Sequence, residues 1–120
     1  MSEENKNVIE HPWGYELVWA NKPNYCGKIF YFTTSGSKTP FFFNAETDKS
    51  MFVNSGSFKC RWIDTSSGQV FEQELTEGQV WDCPKLMPCS LQALHDGANI
   101  TVVSEGNNED EKIIIKAENF

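Results

Sequence analysis

Four cysteines and two histidines carry most of the chemistry this sequence could perform. The cysteines stand at 26, 60, 83 and 89, a spacing with no Cys-x-x-Cys pair and no regular disulfide framework. A thiol can act as a nucleophile or a soft-metal ligand, but in a reducing compartment the default is a small buried hydrophobe. His11 lies in a polar stretch before Pro12, and His95 lies in the turn Leu94-His95-Asp96-Gly97. Neither stands on a strand face from which a general base reaches a core, so no catalytic residue is assigned.

The elements that must position these groups are short strands. Turn signals recur at Ser35-Gly36-Ser37, Asn54-Ser55-Gly56, Ser66-Ser67-Gly68, Glu77-Gly78, Asp96-Gly97 and Gly106-Asn107-Asn108. Between them lie runs rich in Phe, Val, Ile, Tyr and Trp: 28–34, 51–54, 57–63, 69–75, 79–83, 99–104 and 112–116. Helical periodicity is absent, and this pattern predicts an all-β sandwich or barrel. In Phe58-Lys59-Cys60-Arg61-Trp62 the apolar residues hold one parity, which turns Phe58, Cys60 and Trp62 inward and Lys59 and Arg61 outward. Met51-Phe52-Val53 is apolar on both parities and reads as a strand covered on both faces.

Length and charge restrict the partners. A chain of 120 residues makes one domain, here 11–120 after an N-terminal arm of 1–10. A net charge of −7, with ten scattered Lys and Arg, leaves no basic patch for nucleic acid and disfavours anionic membranes. No segment approaches the ~20 apolar residues of a membrane span. Met1–Asn7 is polar, without the basic and apolar regions of a signal peptide, so a cytoplasmic location is expected.

The spacing of glycines and prolines resembles the two motifs of the cupins. Gly36 is followed after five residues by Phe42-Phe43-Asn44, after four more by Lys49 and after six more by Gly56. Gly78 leads through five residues to Pro84-Lys85-Leu86, then two to Cys89 and three to Ala93. In the family these frames carry three histidines and a glutamate that hold a metal. Here Phe42, Asn44, Lys49 and Cys89 stand at those four places. Phe42 cannot coordinate an ion and Lys49 puts a cation where the ion would sit, so no metal and no cofactor are expected.

The flanks narrow the resemblance. Pro12-Trp13-Gly14-Tyr15-Glu16, Gly27-Lys28-Ile29 and the tail from Val102 through Ile113-Ile114 look like the type II mannose-6-phosphate isomerase cupins. Membership implies a double-stranded β-helix, or jelly-roll, barrel. The candidate ligand-binding set in that barrel is Phe42, Asn44, Lys49, Met51, Cys60 and Cys89. Lys49 beside Cys89 could hold a thiolate, or Cys89 could pack with Phe42, Met51 and Phe58 as filled core. Glu46 and Asp48 are the neighbouring carboxylates that could satisfy Lys49.

Phe41-Phe42-Phe43, with Phe30, Phe32, Phe52, Trp19 and Trp81, is more aromatic surface than a small barrel interior holds. A homodimer interface is the expected use, with stacking of a small carbohydrate-like ligand as the rival. The resulting reading is a metal-free cupin that binds a small sugar-like ligand or serves in assembly. One alternative is a sugar or sugar-phosphate isomerase- or epimerase-like enzyme working without metal through Lys49 and Cys89. The other is a structural subunit with a filled barrel. An interior pocket of roughly 300 Å³ or more separates the ligand-holding readings from the last.

Overall fold

The computed structural model describes residues 7–106 and 111–117, almost wholly as antiparallel β-sheet. In chain order the strands are β1 (Val8–His11), β2 (Gly14–Lys22), β3 (Tyr25–Phe32), β4 (Phe41–Asn44), β5 (Lys49–Ser55) and β6 (Ser57–Ile63). They continue as β7 (Val70–Thr76), β8 (Val80–Cys83), β9 (Cys89–Ala93), β10 (Asn99–Glu105) and β11 (Glu111–Ile115). Six form one sheet in the order β1-β2-β3-β10-β5-β8, and five form the other in the order β11-β4-β9-β6-β7. From β3 onward the chain crosses between layers at every connection except β6–β7, as in a jelly roll.

Alternation along most strands fills the space between the sheets. Phe30, Phe32, Met51, Val53, Ile100 and Val102 point inward from the six-stranded layer. Phe42, Phe58, Cys60, Leu75, Cys89, Leu91 and Ala93 meet them from the other. Interior rings pack edge to face, Phe32 on Phe58 at 5.1 Å and Phe30 on Phe42 at 6.3 Å. Trp19 sits at a bulge in β2, and its indole lies so close over Gly27 that a Cβ there would meet the ring at 2.3 Å. A side chain at 27 would push the half-exposed indole aside.

One expectation from sequence changes. Residues 8–10, assigned to an arm, pair with β2 as the edge of the six-stranded sheet, while 1–6 lie outside the described residues. Phe52, read as covered on both faces, is 44% exposed between buried Met51 and Val53 in the single chain, so a cover on its outer side has to come from a second copy. Of the tail used for the resemblance, Glu109 and Asp110 also lie outside the described residues.

Candidate functional site

The four substituted positions converge. β4 supplies Phe42 and Asn44, β5 begins at Lys49, and β9 begins at Cys89, which pairs directly with Phe42 across the ladder. Lys49 Nζ donates to Asn44 Oδ1 at 3.0 Å and lies 4.1 Å from the centre of the Phe42 ring. Asn44 is itself fixed, donating through Nδ2 to Thr47 Oγ1 at 3.0 Å. An amide oxygen and a π-face therefore receive the buried ammonium. Asp48, expected as a carboxylate partner, instead accepts the backbone N–H of Lys85 at 2.9 Å.

Met51 and Cys60 complete the set from β5 and β6, and all six residues are buried. The clefts that reach Lys49 and Phe42 open at the rim, and their walls include neither Met51, Cys60 nor Cys89. Burial pushes the Cys60 thiol up to about 12. Cys89, with no exposed surface, is also raised, by burial first and then by its contact with Cys83.

Cys83 is the residue that sequence reasoning did not single out. It ends β8, directly across from Lys49 on β5, and its Sγ lies 3.2 Å from Cys89 Sγ. A hydrogen bond from Cys89 and the charge of Lys49 hold the Cys83 thiol below its ordinary value, against burial and Asp48. The available sequence signal was Cys-x5-Cys bounded internally by Pro84 and Pro88, which forces a tight return.

The donor set does not fit a metal. Phe42 has no donor atom, Lys49 brings a positive charge, and the remaining amide and thiol cannot replace three imidazoles and a carboxylate. Among the described residues no group of three or more His, Cys, Asp or Glu is placed to hold an ion.

A second polar cluster lies at another rim. Glu16, on β2 and buried, accepts from His11 Nε2 at 3.1 Å and lies 3.7 Å from Lys28 Nζ. His11 stacks on buried Trp13 with centroids 4.6 Å apart. His11, expected in a polar arm before Pro12, instead ends β1, where the tight β1–β2 turn brings it against Trp13 and Glu16. His95 is exposed in its turn, as expected. Burial pushes the Glu16 carboxyl up, but His11 and Lys28 outweigh it and hold the group below its ordinary value. The adjoining cavity, about 50 Å³ against Phe30, Thr39 and Phe42, has room for little more than a water.

A third feature is aromatic. Trp62 stacks on Phe71 with centroids 5.8 Å apart and lies 5.7 Å from Trp81, where β6, β7 and β8 leave the sheets open. A surface cleft of about 320 Å³ runs along Trp62 and Phe71, bordered by Asp64, Lys85 and Met87.

Comparison with known proteins agrees with this architecture. A family model described as Cupin matches residues 21–120. KdgF from Halomonas sp. superposes with a TM-score of 0.72 at 15% identity, over 86% of this chain and 88% of that one. Oxalate decarboxylase from Bacillus subtilis gives 0.75 at 18% identity, over 89% of this chain and 29% of that one. CapF gives 0.74 at 13% identity, over 89% and 33%. The chain thus spans about a third of the decarboxylase and CapF structures. No curated protein sequence matches it.

Proposed function

Because the chain belongs to the cupin family, we propose that it is a metal-free, non-catalytic cupin that serves in assembly as a homodimer. The observation that carries this reading is the Lys49 ammonium held between Phe42 and Asn44, which supplies a covalently tethered cation in place of a bound one. The opening Pro12–Glu16 segment supports kinship with the type II mannose-6-phosphate isomerase branch. Four free cysteines suit a reducing cytoplasm. Metal analysis after dialysis tests the core of the proposal. Less than about 0.1 equivalent of Fe, Mn, Ni or Zn per chain is expected, and about one equivalent overturns it.

The dimer is read from the outer face of the six-stranded sheet. One row crosses all six strands as Val8, Leu17, Ile29, Thr101, Phe52 and Val80. Phe52 and Val80 on it are 44% and 61% exposed. The row contains no charged residue, whereas the chain carries −7 overall, so two copies meet most cheaply there. A two-fold pairing of one face with itself needs no second patch.

The Trp62–Phe71–Trp81 cluster favours a second reading, a small carbohydrate-like ligand. A flat aromatic face suits the C–H side of a sugar ring, and Asp64 and Lys85 at the cleft edge suit its hydroxyls. Titration with monosaccharides, followed by tryptophan fluorescence, tests it. A saturable change lost in Trp62→Ala supports the site, and no change up to ~10 mM removes it.

A further inference from the structure

Cys83 and Cys89 belong to different sheets, yet their sulfurs lie 3.2 Å apart where β8 gives way to β9. The five residues between them close a tight loop in which Met87 N–H donates to the Pro84 carbonyl at 3.3 Å. We propose that Cys83 and Cys89 form a redox-active dithiol that hydrogen peroxide converts to a disulfide between the two layers.

The geometry favours a bond over a shared ion. Closing 3.2 Å to the ~2.05 Å of a disulfide takes about 1 Å of sulfur movement. Two thiolates on one tetrahedral ion, each at ~2.3 Å, would sit about 3.8 Å apart, farther than they are now. Access divides the pair. A cleft of about 420 Å³ bordered by Asp48, Lys49, Ser50, Asp82 and Pro84 includes Cys83 in its wall, and Cys89 is not part of it. Cys83, 1% exposed, is thus the residue of the pair that a peroxide-sized molecule in this cleft reaches once the rim opens slightly, and the Lys49 charge beside it favours the thiolate that attacks. Cys89, fully covered and in contact, is the resolving partner.

The chemistry balances in two steps. The Cys83 thiolate attacks one peroxide oxygen, an S–O bond forms, the O–O bond breaks, and hydroxide leaves to become water on taking up the thiol's proton. The Cys89 sulfur then attacks the Cys83 sulfur, and the sulfenic oxygen departs as a second water with the Cys89 proton. Two thiols lose two electrons, and peroxide becomes two waters.

Intact-mass analysis of the full chain after a few equivalents of peroxide tests this. The expected result is a 2 Da loss, a fall from four to two alkylatable thiols in denaturant, a Cys83–Cys89 peptide on mapping, and recovery with a reductant. Cys89→Ser should stop at a sulfenic acid on Cys83 that dimedone traps. A parent chain that keeps four thiols, or a disulfide that maps to another pair, overturns the proposal. The parent measurement decides even where a variant fails to fold.

Discussion

The ammonium of Lys49 lies 4.1 Å from the centre of the Phe42 ring, so a positive charge stands among the substituted positions as part of the chain itself. Among the described residues the charge depends on Asn44 for its hydrogen bond. Asn44→Leu should therefore cost about 2–4 kcal/mol, because it strands a buried cation. Lys49→Met should lie within about 1 kcal/mol of the parent, relief of the buried charge offsetting the acceptor left unmet on Asn44. The double variant should recover most of the Asn44→Leu loss. Urea unfolding of the four proteins gives the coupling, and additivity would show that the contact contributes nothing.

Leu86 adopts φ = 67° in the β8–β9 loop, the only non-glycine among the described residues with positive φ. This is a left-handed conformation that a Cβ disfavours. The side chain is more than half exposed and leaves little packing to lose. Leu86→Gly should stabilise the protein by about 0.5–1 kcal/mol in urea unfolding, where most glycine substitutions cost stability.

Glu16 sets an acid limit. Its carboxyl is held below the ordinary 4.5 in the fold, so its contribution is complete above that pH and is lost as pH falls through the depressed value. Stability should decline below about pH 4.5, and Glu16→Gln should flatten that decline. At pH 7 the same variant should cost about 2–4 kcal/mol by leaving Lys28 with a weaker buried partner. Unfolding midpoints from pH 3 to 7 supply both readings.

Phe52 and Val80 stand opposite each other on the open sheet face. Light scattering at micromolar concentration should give twice the 13.7 kDa chain mass, and Phe52→Glu should return it to one. Placing a carboxylate in the middle of a two-fold face brings two copies of it together, which costs far more than the lost apolar area. A monomeric parent would remove the assembly reading.

Much of the architecture was legible in sequence, for local reasons. β6 has the bounds read from its alternation, because Phe58, Cys60 and Trp62 face a core and Lys59 and Arg61 do not. β4 was not resolved as a strand: Phe41-Phe42-Phe43 has no period, and Phe41 and Phe42 are both buried. The bulge at Trp19 breaks the alternation of β2 in the same way. Spacing brought Phe42, Asn44, Lys49 and Cys89 to one place, but could not tell that the amide of Asn44 would receive the ammonium. Cys83 and the His11–Glu16 contact depend on how tightly two turns close, and no strand periodicity reports that.

The pairing of β3 with β10 also governs when the fold can form. Ile29 and Thr101 are ladder partners although 72 positions separate them. A ribosome adding ~5–20 residues per second needs roughly 4–15 s to make that interval. Throughout it, the inward faces of β2 and β3, with Phe30 and Phe32, have no central strand to join them to β5. Such a chain folds late and as a whole, on the millisecond-to-second scale of nonlocal β topologies once synthesis has passed β10. In a crowded cell it is during this wait, more than in the finished barrel, that its rings are open to chaperones.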